Sequence, residues 1–167
     1  MFKCLKYFLI LLLIIPFPSL SNSLFKKIDF KFNKNITLND ENNIEKKLIN
    51  ILDFNSNYVV NFWATWCIPC KKELPDLNKM KIENKDLKVV IISIDKKPIK
   101  DQLNFLKKNK VTELTTYFDK NMTFFKSLKL KGIPTTLLIN QQNIIAKKEG
   151  IFSYNKVSLE QINNFFN

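Results

Sequence analysis

Two cysteines three residues apart, Cys67-Ile68-Pro69-Cys70, are the residues best placed to do chemistry in this 167-residue chain. They follow the apolar, β-rich run Tyr58-Val59-Val60-Asn61-Phe62-Trp63 and precede helix-forming Lys71-Lys72-Glu73-Leu74. A helix N-terminus leaves backbone N–H groups unpaired and carries the positive end of the helix dipole. Both favour a thiolate over a thiol, so a cysteine there becomes a nucleophile. Cys67 would attack a disulfide in a partner, and Cys70, one turn further along, would resolve the mixed disulfide. Two plainer readings are a structural bridge and half of a metal site. A bridge over so short a loop removes little entropy from the unfolded chain. A metal site needs further soft or imidazole ligands, and the chain has no His and only one other cysteine, Cys4.

Composition excludes much else. Without His there is no Ser-His-Asp or Cys-His catalysis and no imidazole proton shuttle. Two glycines leave no room for a glycine-rich phosphate loop or a dinucleotide fingerprint. With 46% apolar residues the chain can bury one ordinary domain core. The formal charge of +12 invites a nucleic-acid reading. All 27 basic residues are Lys, however, scattered as singles and pairs such as Lys26-Lys27 and Lys147-Lys148, alongside abundant Asn, Ile and Phe. That pattern reads as overall compositional bias rather than a nucleic-acid footprint, so no nucleic-acid partner is expected.

Residues 1–23 have the layout of a secretory signal peptide, with a membrane anchor as the alternative. Lys3 and Lys6 precede an uncharged run from Tyr7 to Phe17, then Pro16, Pro18 and Ser19, and small residues at Ser21 and Ser23. The run is shorter than the roughly 20 residues of a spanning helix. Cys4 lies before it and is not placed as a lipid acceptor. The expected domain is therefore 24–167, with +10 of charge, two cysteines, and a location outside the cytoplasm: the periplasm or the outer face of the inner membrane.

The elements that must position the pair follow from periodicity. Residues 28–32 and 36–38 alternate around Asn33-Lys34-Asn35 and predict a β-hairpin. Asn42 and Glu45 resemble a capping box opening a helix with Ile44, Leu48, Ile51 and Leu52 on one face. Leu87–Ile94 is apolar enough for a strand covered on both faces. Pro98 opens a helix ending in a Lys-rich turn. Residues 115–118 predict a short strand and 122–128 a short helix. A hairpin follows from 135–139 and 144–148 around a polar turn, and a closing helix carries Leu159, Ile162, Phe165 and Phe166. Pro75 should kink the helix after the cysteines. The order argues one α/β domain.

The stretch VVNFWATWCIPCKKELPDLNKM, residues 59–80, resembles the active-site region of the thioredoxin superfamily. It is most similar to the TlpA/ResA/DsbE branch of exported thiol-disulfide oxidoreductases. A second match is LKLKGIPTTLLIN, residues 128–140. The resemblance implies a thioredoxin-like fold, with a central mixed β-sheet flanked by helices and an added N-terminal β-hairpin. It implies that Pro134 is cis and faces the cysteine pair, with Ile133 offering a strand-like docking edge for substrate. Trp66, Ile68 and Pro69 would complete the substrate contact, and Gly150 matches a Gly after the last strand.

Thioredoxins proper carry a buried Asp where Asn61 stands here, and Asn61 cannot titrate. The TlpA/ResA-like branch has a Glu at the position of Glu73, which implies proton transfer to or from the pair. The plainer reading makes Glu73 a solvated helix residue offsetting Lys71 and Lys72. Strong oxidants of the superfamily carry a His between the cysteines. Ile68-Pro69 therefore implies a reducing couple nearer thioredoxin (roughly −270 mV) than DsbA (roughly −120 mV). Protein disulfides, apocytochrome c among them, are the implied substrates of this dithiol. It would need no cofactor beyond its own disulfide, would be kept reduced by a membrane donor of the DsbD/CcdA type, and would act as a monomer. The rivals are a non-catalytic chaperone or metallochaperone and a thiol peroxidase. The peroxidase expects Thr three residues before the reactive Cys, whereas Thr65 is two before Cys67.

Overall fold

A computed structural model describes residues 23–53, 55–141 and 143–167. The expected leader at 1–23 lies, Ser23 apart, outside the described residues. No helix among the described residues is long and apolar enough to cross a membrane.

The strands are β1 (Lys26–Lys31), β2 (Thr37–Asn39), β3 (Glu45–Lys47), β4 (Asn57–Trp63), β5 (Lys88–Ser93), β6 (Thr115–Phe118), β7 (Thr135–Asn140) and β8 (Asn143–Glu149). The helices are α1 (Leu48–Ile51), α2 (Ile68–Glu83), α3 (Ile99–Lys108), α4 (Thr123–Ser127) and α5 (Lys156–Phe166). One mixed eight-stranded sheet runs β1-β8-β7-β4-β5-β6-β2-β3. β4, β5 and β6 are parallel, and β7 joins β4 antiparallel. This is the expected central mixed sheet flanked by helices.

Strand β4 is the keel, buried from Tyr58 to Trp63. Its two faces have different partners because successive side chains point to opposite sides. Phe62 meets Phe124 and Phe125 of α4 at ring-centroid distances of 5.6 and 5.5 Å. Trp63 stacks on Phe105 of α3, and Asn61 bonds Glu73 of α2. Helices α2 and α3 thus share one face, as right-handed β-α-β crossovers require. Trp63 is core, as its place in the strand predicts. Pro75 lacks the N–H that would bond the Lys71 carbonyl, yet α2 continues through it as one element.

Two local expectations are corrected. Residues 28–32 and 36–38 do not pair with each other. A turn does form, with Ile36 N–H donating to the Asn33 carbonyl, but its arms leave for opposite edges of the sheet. β1 pairs with β8, while β2 pairs with β3 and β6. The physical reason is burial at the turn itself. Phe32 and Ile36 are both buried, and Phe32 packs edge-on against Phe124, so the connection crosses the molecule. The N-terminal hairpin is instead β2–β3.

The helix expected from Asn42 is likewise a turn. Asp40 accepts from the N–H groups of Asn42 and Ile44, its own N–H donates to the Ile44 carbonyl, and Asn43 takes φ 64°. An Asp that folds its side chain back onto the next N–H groups competes with helix. Only one helical turn, α1, follows.

Leu77 lies fully buried on the inner face of α2, behind the cysteine pair. Leu77→Ala should cost about 2–5 kcal/mol, read as a lower urea midpoint with an unchanged m-value. A cost below about 1 kcal/mol would contradict this packing of α2 against the sheet.

Candidate active site

The chain leaves β4 at Trp63 and turns sharply into α2. Cys67 N–H donates to the Ala64 carbonyl, closing the turn. Cys67 is the N-cap of α2, with extended backbone, and Pro69 occupies the first turn, where a missing N–H is harmless. Cys70 N–H points at Cys67 Sγ, 3.2 Å away, and the two cysteines form a disulfide with Cα atoms 5.3 Å apart. The same N–H that caps the helix would stabilise a Cys67 thiolate. Cys70 is fully buried and Cys67 is 4% exposed, so Cys67 is the sulfur nearer solvent. Its neighbours protrude: Trp66 is 60% and Ile68 67% exposed. Pro69 is half-buried.

The turn is held from just beyond β5 by a group that sequence reasoning passed over. Asp95 Oδ2 accepts from Thr65 N–H at 2.9 Å and from the Thr65 hydroxyl. Burial opposes the Asp95 charge, but hydrogen bonds from Thr65 and from Lys97 N–H outweigh it and hold the carboxyl below its ordinary value. Ser93 Oγ in turn accepts from Asp95 N–H, and its hydroxyl donates to Gln102. The available signal was topological, since parallel β4 and β5 end side by side and bring Asp95 beside Thr65.

The second motif arrives on β7. Thr135 pairs with Phe62 and Thr136 with Asn61, so continuing that register brings Ile133-Pro134 alongside the strand end that leads to Cys67. The Ile133–Pro134 bond is cis. Pro134 is buried and Ile133 half-buried. Gly150 takes φ 83°, a conformation that favours glycine, and its N–H donates to the Pro134 carbonyl at 2.9 Å.

Glu73 is fully buried, which overturns the solvated reading. Its Oε1 accepts from Asn61 Nδ2 and its Oε2 from Phe152 N–H, each at 2.7 Å. Asn61 Nδ2 also donates to Thr136 Oγ1 at 3.0 Å. Burial pushes the Glu73 carboxyl up to about 7. The Phe152 and Asn61 hydrogen bonds and the Lys148 charge pull the other way, while the Asp76 charge adds to the rise. Such a group exchanges protons at neutral pH, one helical turn from Cys70. The Phe152 contact has no sequence signal, because its donor is backbone.

Residues 29–148 match the AhpC/TSA family. Thiol-disulfide oxidoreductase ResA of Bacillus thuringiensis subsp. konkukian is 32% identical over 110 residues, which cover 63% of this chain and 61% of ResA. Sporulation thiol-disulfide oxidoreductase A of Bacillus subtilis is 30% identical over 108 residues, covering 62% and 65%. The match thus spans about three fifths of the length of these relatives. Among solved structures, a DsbE-type thiol:disulfide interchange protein from Chlorobium tepidum superposes with a TM-score of 0.67 at 28% identity, covering 83% of this chain and 99% of that one. StoA of Bacillus subtilis shares the fold, with a TM-score of 0.61 at 23% identity over 79% and 96% of the two chains.

The raised Glu73 carboxyl makes stability depend on pH. Unfolding returns it from about 7 to the ordinary 4.5, so the folded state binds the extra proton between those values. Stability therefore falls as pH rises through that window, by about 3 kcal/mol at most, and levels off above it. Urea unfolding of the oxidised protein from pH 4.5 to 8 should show this decline, and Glu73→Gln should remove it. Parallel pH dependences in the two proteins would contradict the assignment.

Proposed function

The chain belongs to the AhpC/TSA family as a TlpA/ResA/DsbE-like member of the thioredoxin superfamily, and on that footing we propose that it is an extracytoplasmic thiol-disulfide oxidoreductase that reduces protein disulfides through Cys67 and Cys70. The observation that carries this reading is the cysteine pair at the start of α2, with Cys67 Sγ facing Cys70 N–H and the exposed Trp66 and Ile68 on either side. The leader expected at 1–23 from its sequence supports action outside the cytoplasm.

The Cys67 thiolate attacks one sulfur of a partner disulfide lying along the Ile133-Pro134 edge. A Cys67–partner disulfide forms, and the partner's other sulfur leaves as a thiolate and takes a proton. Cys70 then gives its proton to Glu73 and attacks Cys67 Sγ. The partner's second sulfur leaves, and Cys67–Cys70 closes as a disulfide. Two electrons have passed from this dithiol to the partner. Trp66, Ile68 and Pro69 supply apolar contact, and Ile133 a backbone edge. A membrane donor of the DsbD/CcdA type would restore the dithiol. Apocytochrome c, whose haem-attachment cysteines must be reduced, is one fitting substrate. The peroxidase reading is not favoured: Ala64 stands three residues before Cys67, and the Thr65 hydroxyl is engaged by Asp95.

Cys70→Ser removes the resolving thiol and should accumulate mixed disulfides on Cys67, both with a model disulfide protein and with its partner in cells. Cys67→Ser should trap nothing and lose turnover. A Cys70→Ser protein that holds no partner would overturn the proposal in favour of a non-catalytic binding role.

A further inference from the structure

Asn61 has a feature that the mechanism above does not use. Its Nδ2 makes two hydrogen bonds, to Glu73 Oε1 and Thr136 Oγ1, while its Oδ1 is buried without a partner. A carboxylate only accepts hydrogen bonds, so the amide must present its NH₂ to it. A protonated carboxyl must instead donate. Phe152 N–H already occupies Oε2, so the proton belongs on Oε1, and the polar group facing Oε1 is the Asn61 amide. With Nδ2 still facing it, two donors would meet.

We propose that Asn61 is a positioning residue that reverses its side-chain amide as Glu73 gains and loses its proton. In the carboxylate state, Asn61 Nδ2 donates to Glu73 Oε1 and to Thr136 Oγ1. In the acid state, the Glu73 O–H donates to Asn61 Oδ1, and the Thr136 hydroxyl rotates to donate to the same oxygen. Asn61 makes two hydrogen bonds in both states and leaves one amide atom over in both, so the reversal is nearly balanced. Only a side chain with both a donor and an acceptor at its tip can do this, and Asn does it without competing for the proton as Asp would. The hydroxyl of Thr136, also both donor and acceptor, completes the pair.

The other groups around Glu73 do not offer this service. Phe152 contributes a backbone donor, while Asp76 on α2 and Lys148 on β8 act on it through their charges. Cys70, one turn back on α2, is the proton's other holder. The inference rests on the proposed role of Glu73 as proton carrier and adds to it the device that keeps the carboxyl in one place in both states.

Neutron diffraction on deuterium-exchanged crystals of the oxidised protein at pH 5 and pH 9 tests this without turnover. The expected result is deuterium on Glu73 and Asn61 Oδ1 facing it at pH 5, with Nδ2 facing a bare carboxylate at pH 9. In Glu73→Gln, whose amide donates like the acid, Asn61 Oδ1 should face residue 73 at both pH values. Asn61→Leu should raise the proton affinity of Glu73 about tenfold by carboxyl NMR, because the carboxylate loses a charge-assisted bond and the acid only a neutral one. A role in packing alone would leave that midpoint unmoved. The same Asn61 orientation at both pH values, with Glu73 changing its protonation, would overturn the proposal, and if Asn61→Leu fails to fold the two diffraction results still decide. A fixed amide in a protein that turns over disulfides counts against this inference alone. A reversing amide in a protein that does not turn them over counts against the reductase reading alone.

Discussion

One carboxylate removed from water ties the site together. Glu73 projects from α2, is held by the Asn61 amide of β4, and is held again by the Phe152 N–H just beyond β8. Burying a carboxyl costs free energy unless it is hydrogen-bonded or protonated, and here both occur in part. The two donors fix where the carboxyl sits, and burial outweighs them and the Lys148 charge, leaving it able to titrate near 7. Through these contacts the helix that starts at Cys67, the central strand and the chain after β8 are locked into one arrangement. Gly150, two residues before Phe152, holds the Pro134 carbonyl, so the same short stretch positions both the cis-proline edge and Glu73.

The cysteine pair depends on backbone rather than on a charged neighbour. The chain has no His to stabilise a thiolate. What the pair does have is the N-terminus of a sixteen-residue helix and the Cys70 N–H directed at Cys67 Sγ. Asp95 grips Thr65 from the other side, so the turn carrying Cys67 is fastened to the sheet independently of the disulfide.

Much of the site and of the fold from β4 onward is legible in the sequence. The Cys67–Cys70 pair at a strand-to-helix turn and the elements from β4 to α5 follow from periodicity and motif, and the Ile133-Pro134 edge from the resemblance to the thioredoxin superfamily. They are legible because their apolar residues repeat with a clear period and their breaks are Pro, Gly or Asn. The N-terminal arms were misread for a tertiary reason. Alternation marks a strand but not its partner, and only the burial of Phe32 and Ile36 sends β1 and β2 to opposite edges. Residues 42–52 were misread because the Asp40 side chain closes a local turn that helical spacing cannot reveal. Glu73 remained open between two roles because its neighbours Lys71 and Lys72 suggest a solvated face, and its burial depends on a backbone N–H far along the chain. Of the 27 lysines, the most conspicuous count, Lys148 acts on Glu73 through its charge and Lys97 acts on Asp95 through its N–H and its charge.

The protonation of Glu73 is tested most directly by its own titration. With Glu side-chain carboxyls labelled with carbon-13, and Glu73 assigned by its absence in Glu73→Gln, the resonance should titrate with a midpoint of about 7 in the oxidised protein. A midpoint at the ordinary 4.5 would mean that the carboxylate is paired or hydrated, and would contradict a buried, titrating Glu73 at the centre of the site.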